Sequence, residues 1–242
     1  MGCGSKFARL YFDWVYTAVY DATVARLVSY HRLHDSCVKR IGLRPGDVVL
    51  SIGIGTGNEA VRLLECNGLK DFVLLGIDLS RHALVRAGRK ARRRGKGMDT
   101  LQMDAQVLAL RDQSVDRVLC LHTMLFVDDD RVATRELLRV LKKGGEFVVT
   151  YPAGTGSWQL AGEVGADVLG LVRRGRLGQA LTEAAAALGA MIVYAPLAFL
   201  SRRKDGFQSR PKLERMLASL RLTEYTIDED PAYQELLVWG RR

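Results

Sequence analysis

Hydrophobic positions along this chain form short unbroken runs separated by stretches of helical spacing. Val48 to Ile52 is apolar with no polar residue before Ser51, as in a strand buried on both faces of a parallel sheet. Phe72 to Ile77 repeats the pattern, and strand-like segments recur at 99–103, from Val115 to Leu121 and from Glu146 to Tyr151. Helical spacing predicts helices at about 58–67, 81–95 and 129–141, the last stopped by Lys143-Gly144-Gly145. Upstream, Leu10, Trp14, Val15, Ala18 and Val19, then Val24, Leu27 and Val28, predict two helices within 8–40, and Arg44-Pro45-Gly46-Asp47 reads as a turn. Strands alternating with helices predict an α/β fold with a doubly wound, mostly parallel sheet.

Residues 152–208 break the rhythm. They are rich in Gly, Ala and Arg and read as an insertion of two or three helices. Regular order returns with a helix at about 209–219, then strands from Leu222 to Asp228 and Tyr233 to Trp239. The short turn Asp230-Pro231-Ala232 makes this last pair antiparallel. The organisation expected is therefore an N-terminal helical segment (1–43), a core (44–151), a helical insertion (152–208) and a C-terminal completion of the core (209–242).

Charge adds to this picture. The formal net charge of +9 is concentrated in local runs. Arg86, Arg89, Lys90, Arg92, Arg93, Arg94 and Lys96 share the helix predicted at 81–95 and its end; Lys142-Lys143, Arg173-Arg174-Gly175-Arg176 and Arg202-Arg203-Lys204 are smaller clusters. Such runs attract phosphates on nucleic acid or lipid, or are simply solvated helix faces. Cys3, Cys37, Cys66 and Cys120 are widely spaced, which argues against a zinc site or a disulfide framework; no metal is expected. No run is long enough for a membrane span, and Met1 to Lys6 lacks a signal-peptide core. Gly2-Cys3 is an acylation-type start, but Lys6 stands where Ser or Thr is expected. A cytoplasmic protein is expected, with membrane association through 184–204 as a further reading.

The candidate chemistry begins at Ile52-Gly53-Ile54-Gly55-Thr56-Gly57, a glycine loop between a strand and a helix. Glycines there let the chain turn and let a ligand approach the backbone. Asp78 ends the second strand, where a carboxylate accepts both hydroxyls of a ribose; its alternative role is a helix cap. The spacing is G-x-G-x-G, whereas loops that seat a pyrophosphate usually read G-x-G-x-x-G. S-adenosylmethionine (SAM), which carries no phosphate, suits the shorter spacing.

Four blocks in order carry a family resemblance: VLSIGIGTGNE, LLGIDLS, LQMDAQVLALRDQSVDRVLCLH and RELLRVLKKGGEFVVTYP. Together they resemble class I SAM-dependent methyltransferases, in particular the small-molecule branch with quinone and phospholipid methyltransferases. The resemblance implies a Rossmann-like seven-stranded sheet with a reversed C-terminal strand. It implies that Gly53, Gly55 and Gly57 pass under the methionine of SAM and that Asp78 binds the ribose. Leu79 would pack on the adenine, Asp104 would bond its amino group, and Ala105 would donate a backbone N–H. Cys120, Leu121 and His122 would line the pocket, and the segment with Tyr16, Tyr20 and Asp21 would fold over the cofactor. Ser51 departs from the pattern, because the family usually has Asp or Glu there.

Methyl transfer needs a base only where the acceptor must lose a proton. His122, beyond the fourth strand, is the candidate, with Tyr151 as a second side chain near the acceptor; each has the plain alternative of a packing role. His31, His34 and His82 read as surface or packing residues. Residues 184–200 carry no charge. They form an apolar lid or an interfacial segment, and both favour a hydrophobic or lipid-like acceptor. Methylation of RNA is the rival enzymatic reading, although no RNA-binding module is recognisable. A non-catalytic SAM-binding partner protein is the third, supported by Ser51. Oligomeric state is not legible.

Overall fold

A computed structural model describes residues 12–66, 71–154, 157–200, 208–230, 232–233 and 235–242. The Gly2-Cys3 start and the Arg202-Arg203-Lys204 cluster lie outside the described residues, as do the side chains of Tyr16 and of 193–200.

The apolar runs become strands because each offers side chains to both faces of one sheet. Alternate residues part cleanly: Leu50, Ile52, Val118 and Cys120 enter one core, while Val49, Leu119 and Leu121 enter the other. The strands are β1 (Val48–Ile52), β2 (Val73–Asp78), β3 (Asp99–Gln102), β4 (Val115–Cys120), β5 (Leu141–Pro152), β6 (Glu224–Asp230) and β7 (Glu235–Arg241). Their order across the sheet is β3-β2-β1-β4-β5-β7-β6. The first five run parallel, and β7 pairs antiparallel with both β5 and β6. This is the expected doubly wound sheet with its reversed last strand.

The longer helices are α1 (Val28–Arg40), α2 (Asn58–Cys66), α3 (Arg81–Arg93), α4 (Asp130–Val140), α5 (Ser157–Arg173), α6 (Leu177–Leu200) and α7 (Arg210–Ser219). Helices α1, α2 and α3 bring Leu33, Leu63, Leu84 and Ala87 to one face of the sheet. Helices α4 and α7 bring Leu137, Leu213 and Leu217 to the other. Two expectations shift. Among the described residues one long helix, α1, lies upstream of β1, and residues 12–26 fold as short single-turn pieces. The Lys143-Gly144-Gly145 stop lies inside β5, because Leu141 already pairs with Val115 before the register slips at Arg117.

The insertion is a two-helix hairpin, α5 and α6, that leans on the N-terminal segment. Val24, Leu27 and Tyr30 share a small core with Val164, Ala186 and Ala190. The acids of the hairpin face α1 and the turn before it: Arg32 bonds Asp167 at 3.0 Å and Glu163 at 2.9 Å, and Glu183 accepts the Val28 N–H at 2.9 Å. Among the described residues no helix is long and apolar enough to cross a membrane.

Candidate active site

The site forms at the carboxyl ends of β1, β2 and β4, where an open α/β sheet leaves a crevice. All three loop glycines have positive φ: 67° at Gly53, 54° at Gly55 and 85° at Gly57. A Cβ on Gly53 would collide with Thr123, and one on Gly57 would meet Ala87 of α3 at 2.7 Å. The loop is fastened to β2, since the Gly55 N–H donates to Asp78 Oδ2 at 2.9 Å and the Ser80 N–H to Oδ1 at 2.8 Å. Burial pushes the Asp78 carboxyl above its ordinary pKa, against the pull of those N–H groups. Beside it Leu79 is 46% exposed, an apolar platform at the mouth of the crevice. Asp104 follows β3, holds the Gln106 N–H at 2.8 Å, and is followed by buried Ala105.

Asp21 reaches the loop, while Tyr20 packs edge-on against Tyr30 at 5.9 Å. Asp21 accepts from Thr56 Oγ1 at 2.7 Å and Lys90 Nζ at 2.7 Å, and Lys90 also reaches Asn58 Oδ1 at 2.6 Å. Lys90 is thereby part of a latch between the N-terminal segment, the loop and α3, and Arg94 pairs with Glu65. The basic run on α3 is thus partly occupied within the fold.

Ser51 does not stand alone. Its hydroxyl donates to Glu59 Oε1 at 2.8 Å, and both side chains are buried. Burial raises the Glu59 carboxyl to about 7, against the Ser51 hydrogen bond. A carboxyl group therefore sits beside the end of β1 after all, delivered by the first turn of α2. Its signal in the sequence was an acid two residues after the last loop glycine.

His122 follows β4 with φ 54°, a left-handed conformation that side chains rarely adopt. Its N–H donates to Thr150 Oγ1 at 2.8 Å, and its Nδ1 lies 2.9 Å from Glu235 Oε1 at the start of β7. Burial opposes charge on the ring, but Glu235 outweighs it and the pKa is raised. Glu235 and Glu59 were not among the expected site residues. Two others need correction. Tyr151 is 1% exposed, and its hydroxyl shares a 2.8 Å hydrogen bond with Thr134 of α4. The alternation of β5 turns it into the core, away from the crevice. The thiol of Cys120 enters the same core, since successive residues of β4 face opposite ways and Leu121 takes the other side. Of the two readings of His34, surface or packing, the structure shows the second: it is buried against His122.

Residues 50–149, which carry the glycine loop, Asp78, Asp104 and His122, match the family model described as a methyltransferase domain. Among the relatives this chain is similar to is the ubiquinone/menaquinone biosynthesis C-methyltransferase UbiE of Xanthomonas oryzae pv. oryzae. It is 37% identical over 119 residues, which is 48% of this chain and 47% of that protein. The chain thus spans about half the length of the curated relatives it matches. Solved structures share the methyltransferase fold. A SAM-dependent methyltransferase from Aquifex aeolicus has a TM-score of 0.54 at 16% identity, covering 99% of this chain and 98% of that one. The geranyl diphosphate C-methyltransferase of Streptomyces coelicolor has a TM-score of 0.59 at 15% identity, covering 88% and 79%.

Proposed function

We propose that this chain transfers the methyl group of SAM to a hydrophobic small-molecule acceptor. The observation that carries the reading is the left-handed glycine loop tied through Gly55 to the buried carboxyl of Asp78. The residues present fit the cofactor: Asp78 keeps lone pairs for ribose hydroxyls, and Leu79 offers an exposed apolar surface for an adenine. Gly53, Gly55 and Gly57 would run beneath the methionine, Asp104 and Ala105 would meet the adenine edge, and Tyr20 would close the pocket. Glu59, held by Ser51, would supply the carboxylate facing the methionine ammonium. SAM brings a methyl group already activated by its sulfonium, so the protein's contribution is alignment, exclusion of water and, for some acceptors, removal of a proton.

Relatives named for ubiquinone and menaquinone biosynthesis favour a ring of quinone type as the acceptor. The outer face of α6 supports a lipid-borne one. Leu177, Leu181, Leu188, Met191 and Ile192 are each at least 60% exposed there, next to exposed Arg173, Arg174 and Arg176. Such a surface suits anionic lipid.

Calorimetric titration with SAM and S-adenosylhomocysteine tests the cofactor. Micromolar binding is expected, weakened at least tenfold by Asp78→Ala, a loss of about 1.4 kcal/mol. Absence of binding to the unaltered chain overturns the reading.

A further inference from the structure

Beneath α1, where β4 ends and β7 begins, lies a group of buried polar atoms that cofactor binding does not use. The His122 ring is fixed at Nδ1 by Glu235, while its Nε2 is buried and has no hydrogen-bond partner among the described residues. The same holds for both ring nitrogens of His34, which is 3% exposed, and for Glu235 Oε2. Aromatic rings enclose them. Tyr30 lies 4.0 Å from His34 and 5.9 Å from His122, and His34 and His122 are 5.6 Å apart with planes within 29°. Tyr233 closes the far side at 5.1 Å from His122.

A buried polar atom without a partner costs about 1–3 kcal/mol, and native folds carry few of them. Several such atoms on three neighbouring residues, one of them with a left-handed backbone, are groups that a ligand's polar atom would satisfy. The two imidazoles are also unlike. Burial drives the His34 pKa well below the ordinary value, with His122, His31 and Arg62 adding to the effect. At His122 burial acts in the same sense, but Glu235, Asp230 and Glu59 overcome it. Two titratable groups pushed apart by their surroundings divide into a proton acceptor and a neutral hydrogen-bonding group.

We propose that His34, His122 and Glu235 form the seat for a weakly acidic hydroxyl, a phenol or enol, on the acceptor. The inference rests on the methyltransferase reading and supplies its acceptor class. The hydroxyl proton passes to His122 Nε2. The oxygen left behind takes a hydrogen bond from His34, whose neutral ring can donate. The electron pair of the broken O–H bond makes the oxygen, or a ring carbon conjugated with it, the nucleophile. That atom bonds to the methyl carbon, and the carbon–sulfur pair leaves on sulfur as S-adenosylhomocysteine. His34 and His122 touch substrate and are catalytic residues; Glu235 is a positioning residue that holds the tautomer and raises the basicity of His122.

The test uses the full chain and 4-nitrophenol, whose phenolate is coloured, with S-adenosylhomocysteine present. The expected result is binding with phenolate absorbance appearing about one pH unit below the transition of the dye in water. His34→Phe and His122→Phe should each abolish that shift. Glu235→Gln should retain dye binding with the shift reduced at least threefold. All three variants should bind S-adenosylhomocysteine within threefold of the unaltered chain, which separates this inference from the cofactor reading. His34→Leu adds a second readout: removal of the unpaired nitrogens should leave the melting temperature unchanged or higher. The proposal is overturned if 4-nitrophenol fails to bind or stays neutral when bound. It is equally overturned if the dye ionises as well in His34→Phe, or if His34→Leu melts lower while the dye shift survives.

Discussion

At the residue scale the pairing of Ser51 with Glu59 is the most informative contact. A buried carboxyl at about 7 is held at the junction of strand and loop by one serine hydroxyl. Replacement with Glu59→Gln should weaken S-adenosylhomocysteine about tenfold in calorimetry and leave 5′-methylthioadenosine, which lacks the ammonium, unaffected. Adding Ser51→Asp should restore the lost affinity. The same group sets a pH dependence of stability. Its folded pKa lies above its ordinary value of 4.5, so the folded state holds the extra proton between about 4.5 and 7. Stability from this group is therefore complete below that window and declines as pH rises through it, by about 3 kcal/mol at most. Thermal melts of Glu59→Gln should lack this decline, and an identical pH profile in the variant would refute it. Glu59 is hard to find in sequence because an acid in a first helical turn usually serves the helix dipole.

At the element scale the Asp21–Lys90 latch joins the N-terminal turns to the loop and α3. Lys90 is 24% exposed and Asp21 31%. Lys90→Ala should cost less than about 1 kcal/mol of global stability, yet hydrogen exchange across 12–26 should accelerate several-fold. Unchanged exchange there would mean the turns are held by packing alone. The elements themselves were legible where one physical signal governed them. Strands β1, β2 and β4 announce themselves because burial on both faces forces unbroken apolar runs, and Asp78 was readable because it ends such a run. Tyr151 and Cys120 misled because a strand end does not reveal which face a side chain takes. His34 stayed hidden because its partner His122 lies 88 positions away in the chain, reached only through the packing of α1 on β4.

At the scale of the whole molecule, charge and apolarity are sorted by side. The α5–α6 hairpin turns Glu163, Asp167 and Glu183 toward the N-terminal segment and leaves arginines with large apolar side chains outward. Flotation with vesicles of phosphatidylcholine and phosphatidylglycerol should carry the chain upward, and less so in high salt. Leu181→Glu together with Leu188→Glu should abolish flotation without altering S-adenosylhomocysteine affinity. Equal flotation of the double variant would place the contact elsewhere.

The sheet order also has a consequence for biogenesis. Strand β6 is bonded only to β7, and β7 supplies Glu235. On the ribosome β7 emerges after every other strand, so β6 must wait unpaired until its neighbour arrives and slots between it and β5. The nascent chain can assemble the loop and the ribose-binding carboxyl early, but the carboxylate that orients His122 comes with the closing strand. An unfinished chain can therefore present a cofactor cradle while its proton-accepting machinery is still incomplete.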